Sequence, residues 1–219
     1  MKIFLRLRKL SGFAIVFVAV GSFSWAAEKP ASVTQPPAAS LAPDEIGGFE
    51  QYPARVQTLL RLALQLSQQK LGYIYGSADP LQGGMDCSGA IYYLLQQEGL
   101  SEVPRSSSEQ YVWARKAGTF RAVVGTRLDG FELNELAPGD LLFWTGTYDI
   151  KREPPVTHTM IYLGEAKSDR LPLMFGSSDG RTYRGKKQYG VGVFEFRLPQ
   201  PSEKNPSRFV GYAKIPGFP

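Results

Sequence analysis

At Pro138 the hydrophobic pattern of this 219-residue chain changes period, and that change restricts the folds open to it. Upstream, ARVQTLLRLALQLSQQKLG (54–72) places Val56, Leu59, Leu60, Ala63 and Leu66 at helical spacing, which predicts a helix closed by Gly72. Asp86 is a good N-cap for a second helix, Cys87 to about Glu98, whose inner stripe is Ala90, Ile91, Leu94 and Leu95 and which Gly99 ends. Ser106 and Glu109 have capping-box spacing for a third helix, ended by Gly118. Downstream come short aromatic and branched runs separated by turn signals: DLLFW (140–144), HTMIYLG (158–164), LPLMFGSS (171–178), VGVFEFRL (191–198) and FVGYAKI (209–215). Helices first and strands after predict an α+β fold, with N-terminal helices packed on a C-terminal antiparallel β-sheet.

The N-terminus reads as an address. Lys2, Arg6, Arg8 and Lys9 precede an almost uncharged run from Leu10 to Phe23, and Ser24-Trp25-Ala26 offers small residues for cleavage. The run is shorter than the ~20 residues a bilayer needs, so residues 1–26 are expected to be a secretory signal peptide. Pro, Ala and Ser dominate the next stretch, and residues 27–50 are expected to form a linker before a domain over 51–219. The expected location is therefore exported: periplasm, cell wall or extracellular space.

Composition narrows the chemistry. Of 25 Lys+Arg against 20 Asp+Glu, four cations and no anions lie in the signal. The mature chain is thus near neutral, which makes no electrostatic case for nucleic acid or for a membrane after cleavage. One cysteine, Cys87, permits no intramolecular disulfide, and one histidine, His158, cannot complete the usual zinc ligand sets. No metal or cofactor is expected.

A thiol in the first turn of a helix meets unpaired N–H groups and the positive end of the dipole, which favour the thiolate. The same N–H groups could hold an oxyanion, and Gly83, Gly84 and Gly89 would let a substrate approach the backbone. A nucleophilic cysteine needs a base, and His158 opens an apolar strand where it could face that helix terminus.

The segments DCSG (86–89), PRSSSEQ (104–110), PGDLLFW (138–144) and HTMIYLG (158–164), with LGYIYGS (71–77) before them, occur in an order that resembles the NlpC-type cell-wall cysteine peptidases, a papain-like family. The resemblance covers roughly residues 55–198. It implies that Cys87 is the nucleophile, His158 the general base and Tyr73 an oxyanion donor, with Asp86, Ser88, Arg105 and Ser106 shaping the cleft and contacting peptide. The family's third polar residue, commonly histidine, falls at Gly176 here. Strand alternation puts Ser178 on the same face, so Ser178 or a backbone carbonyl is the candidate to orient His158. The stretches 119–135 and 145–157 are longer than the family minimum and are expected to wall the cleft.

The resemblance implies an exported cysteine endopeptidase that hydrolyses amide bonds in peptidoglycan stem peptides, with the D-glutamyl–diamino acid bond as the expected target. Two alternatives keep the same residues: a cell-wall binding module with little or no turnover, and a Cys-dependent acyl or amide transferase.

Overall fold

The computed structural model describes residues 36–202 and 204–218; the expected signal peptide and the first part of the expected linker lie outside the described residues. Three α-helices come first: α1 (Ala54–Gln68), α2 (Cys87–Gln97) and α3 (Ser107–Lys116). Six strands then form one sheet: β1 (Phe120–Ala122), β2 (Leu141–Thr145), β3 (Val156–Glu165), β4 (Pro172–Ser178), β5 (Gly190–Glu195) and β6 (Arg208–Ala213). Their order across the sheet is β1-β6-β2-β3-β4-β5, and every neighbouring pair is antiparallel. The fold class is α+β, as the change of pattern at Pro138 predicts.

The predicted stripes of α1 and α2 are buried, and they meet Leu141, Phe143, Ile161, Leu163, Leu173 and Phe175 on one face of the sheet. The alternate residues, among them Leu142, Trp144, Met160, Met174, Phe194 and Phe209, form a second core on the opposite face. That face is closed by Val123, Leu133 and Leu136 from the connection between α3 and β2. Burial on both faces explains why the strands read as nearly continuous apolar runs.

Two expectations change here. First, α1 stops at Gln68 and Gly72 does not close it. Lys70 takes a left-handed backbone (φ 53°), and Gly72–Tyr73 then pairs in parallel with Gly84–Met85. Second, the expected linker does not run to residue 50 as an extended tether. Ala39 bridges Val193 on the edge strand β5, Ile46 bridges Ala166, and Ala38, Leu41, Ile46 and Phe49 are buried. The apolar residues scattered among prolines cover a sheet edge that would otherwise stand unpaired.

Asp140 opens β2 from a buried turn, its Oδ2 accepting the Ala137 N–H at 2.9 Å. Burial pushes its carboxyl up to about 6 from 3.8, against the opposing pull of that N–H and of Lys214. A carboxyl raised in the folded state contributes stability while it is protonated, and that contribution is lost as pH rises from about 4 through about 6. Asp140→Asn is therefore expected to melt higher than the wild type at pH 7.5, by the equivalent of about 1–3 kcal/mol. Thermal melts across that range should show the gap closing near pH 4.

Candidate active site

Cys87 is the first residue of α2, and the chain before it is built to hold that position. Asp86 caps the helix, its Oδ1 accepting the Gly89 N–H at 2.6 Å and the Ser88 hydroxyl at 3.2 Å. Oδ2 accepts the Gly76 N–H at 2.8 Å. Arg105 closes on the same carboxylate through both terminal nitrogens, at 3.0 and 2.9 Å, and reaches Ser88 Oγ at 3.1 Å. Ser106 is engaged as the N-cap of α3, in the reciprocal capping box with Glu109 that its spacing predicts. Asp86, Ser88, Arg105 and Ser106 thus all line the cavity beside Cys87 while being tied to one another or to a helix start.

Two of the glycines near Cys87 serve packing, not the close approach of a substrate. A Cβ on Gly89 would lie 2.1 Å from the Ser77 carbonyl oxygen, and one on Gly84 would lie 2.5 Å from that of Gly72.

The histidine arrives from the sheet. His158 sits on β3 opposite Trp144 of β2, and the register shifts immediately beyond this pair, leaving Thr157 as an extra residue between His158 and Val156. Such a bulge re-aims the side chains beside it. The Thr157 hydroxyl accepts the Thr147 N–H at 3.1 Å, and the Thr157 carbonyl faces α2, accepting the Cys87 thiol at 3.9 Å. Ser177 on β4 donates to the Met85 carbonyl at 2.6 Å, fixing the sheet to the segment that precedes Cys87.

Two adjoining cavities result, of about 540 and 200 Å³, with Tyr73 and Tyr148 on the walls of both. His158, Ser178 and Arg181 line the larger, and Cys87 the smaller. Tyr148, Asp149 and Arg152 come from the connection between β2 and β3, so the 145–157 stretch does wall the cleft. The 119–135 stretch instead covers the second core and borders a neighbouring hollow at Arg197.

The electrostatics differ from the expectation of a ready thiolate. Burial pushes the Cys87 thiol up to about 11, Asp86 adding to the rise; backbone hydrogen bonds with Thr159 and Ser88, and Arg181, oppose it. The helix terminus is outweighed because the sulfur is buried and, secondarily, because the capping carboxylate stands next to it. Burial, then Arg181, holds His158 well below 6.5, so the resting pair at neutral pH is thiol and neutral imidazole. Burial also raises the Tyr73 phenol, which keeps it a proton donor, and its hydroxyl has no hydrogen-bond partner among the described residues.

The residue bonded to the imidazole is neither Ser178 nor a backbone carbonyl. Ser178 is buried on the wall of the larger cavity beside His158, but Arg181 Nε donates to His158 Nε2 at 3.1 Å. Arg181 lies beyond the last residue of β4, in the turn after GSSD, and its guanidinium stacks 4.2 Å from the centre of the Trp144 ring. Strand alternation has no rule for a side chain that folds back from a turn, so sequence reading missed it.

A family model described as the NlpC/P60 family matches residues 70–169. Over that segment the chain is similar to the NlpC/P60 family. The NlpC/P60 match holds Tyr73, Asp86, Cys87, Ser88, Arg105, Ser106 and His158, and ends before Ser178 and Arg181. Over 129 residues the chain is 26% identical to the Gamma-DL-glutamyl hydrolase of Bacillus subtilis (strain 168), covering 56% of this chain and 26% of that protein. Over 127 residues it is 29% identical to the murein DD-endopeptidase MepH of Escherichia coli (strain K12), covering 55% and 39%. The chain thus spans less than half the length of these curated relatives. A crystal structure from Staphylococcus aureus, described as similar to lipoprotein, NLP/P60 family, superposes with a TM-score of 0.48 at 22% identity, covering 75% of this chain and 42% of that one.

Proposed function

We propose that this protein is an exported cysteine endopeptidase that hydrolyses amide bonds of peptidoglycan stem peptides, the bond between D-glutamate and a diamino acid foremost. The observation that carries the reading is the placement of the chain's one thiol and one imidazole on the walls of two adjoining cavities that share Tyr73 and Tyr148, one from a helix start and one from a bulged strand. The relatives, named as a γ-glutamyl hydrolase and a murein endopeptidase, support the substrate class.

In this reading His158 takes the thiol proton and the Cys87 sulfur attacks the amide carbonyl carbon. The oxyanion that forms is met by the backbone N–H groups of Cys87 and Ser88, which have no carbonyl or carboxylate acceptor among the described residues, and by the Tyr73 hydroxyl. The imidazolium gives its proton to the leaving amine, the C–N bond breaks, and a thioester remains. Water, deprotonated by His158, then cleaves the thioester to a carboxylic acid and restores the thiol.

Incubating the protein with purified muropeptides and reading the products by mass spectrometry tests this. Two fragments that together equal the substrate plus one water are expected; intact muropeptides with folded protein would refute it. Incorporation of an added amine in place of water would identify a transferase. Tyr73→Phe is expected to lower kcat by about 10- to 100-fold with KM within about twofold, since one oxyanion donor is removed.

A further inference from the structure

An arginine is a strange neighbour for a catalytic base. Its guanidinium carries only donors, so the Arg181 Nε–H bonded to Nε2 requires that nitrogen to present its lone pair. The ring proton of neutral His158 then sits on Nδ1, so neither ring nitrogen is free to receive a proton from the thiol. Forming the imidazolium would put a second N–H on Nε2, donor against donor and cation against cation at 3.1 Å. Arg181 is also held in place: it stacks on Trp144, the residue paired across the sheet with His158. Yet it makes no ion pair among the described residues, and its terminal nitrogens have no hydrogen-bond partner there. Burial lowers its own pKa to about 10, with Cys87 and Asp179 the acidic groups near enough to oppose that fall. A partly buried guanidinium on a cleft wall with a free bidentate edge has the donor geometry that suits a carboxylate.

We propose that Arg181 is a positioning residue that holds His158 in the Nδ1–H form and withholds it from the thiol until a carboxylate of the substrate draws the guanidinium away. The inference rests on the peptidase reading above and adds to it a substrate requirement: a free carboxylate near the scissile amide, such as the α-carboxylate that a γ-linked D-glutamate leaves exposed. Once Arg181 turns to that carboxylate, Nε2 can carry a proton and Nδ1 can accept the one that leaves Cys87 Sγ, giving thiolate and imidazolium.

The chain has one histidine and one cysteine, so both groups can be followed without interference. Nitrogen NMR of the imidazole is expected to show the Nδ1–H tautomer at rest. Adding a γ-D-glutamyl peptide with a free α-carboxylate to the Cys87→Ala protein should move it to the Nε2–H or doubly protonated form, while the α-carboxamide peptide should not. Arg181→Gln, whose amide oxygen can accept from Nε2–H, should react with iodoacetamide at pH 7 at least about tenfold faster than the wild type. Arg181→Lys, which keeps a cation and its donors, should stay near the wild-type rate, and thermal melts should show both variants folded. An Nε2–H tautomer at rest, a Gln variant alkylated no faster than wild type, or equal responses to the two peptides would overturn the proposal. None of these readouts requires turnover, so absence of peptide cleavage would count against the peptidase reading separately.

Discussion

Cys87→Ala is expected to cut stem peptides at least about 10⁴-fold more slowly than the wild type, and His158→Ala to show a loss of the same order. The two losses should not add, because a nucleophile and its base act as a unit. Folding should survive both changes. The Cys87 thiol donates one long hydrogen bond, to the Thr157 carbonyl, and the position of α2 is set by Asp86, Ser177 and the Leu94–Leu95 side of the helix. The check is kcat/KM on a defined muropeptide alongside a thermal melt. A Cys87→Ala protein that still cleaved would end the peptidase account, whatever the fold or the family.

The largest loss of stability is expected at Asp86, one residue away. Its buried carboxylate accepts five hydrogen bonds: from the N–H groups of Gly76 and Gly89, from the Ser88 hydroxyl and two from Arg105. Asp86→Ala removes the cap of α2, strands those donors and leaves Arg105 without its counter-charge. The expected cost is about 3–5 kcal/mol, a fall in Tm of roughly 10 °C for a chain of this size. Arg105→Ala should cost less, about 2–3 kcal/mol, because the arginine side chain keeps 35% exposure and water screens part of the pair. The double variant should lose less than the two single losses combined, which thermal or urea melts of all four proteins would measure. Equal losses from Asp86→Ala and Asp86→Asn would point to charge pairing over capping as the main contribution, since asparagine still caps.

Asp140 and Asp86 illustrate how little a residue type says by itself. Both are buried aspartates that receive backbone N–H groups. Asp86 meets a bidentate guanidinium, whereas Asp140 has only one N–H, from Ala137, and the charge of Lys214 acting against its burial and is pushed up to about 6. Which cation reaches which carboxylate depends on residues 19 positions away in one case and 74 in the other.

Local signals determined much of this protein. The spacing of Leu59, Leu60 and Ala63, the Asp86 cap, the Ser106–Glu109 box and the aromatic strands all act within a few residues of themselves, so the sequence alone carried the three helices, five strands of the sheet and the α+β class, but not the short strand Phe120–Ala122. The motif order likewise brought Tyr73, Cys87 and His158 together as candidates, because their neighbours specify a helix start and a strand, although that strand begins at Val156, ahead of His158. Only the tertiary structure decided what those groups experience. Burial beside Asp86 raises the thiol that the helix terminus was expected to lower, and a turn after β4 returns Arg181 to the imidazole in place of Ser178. The Pro- and Ala-rich stretch before residue 50 found its sheet edge in the same way. Desolvation and charge pairing act through space between segments far apart in the chain, and no local pattern encodes them.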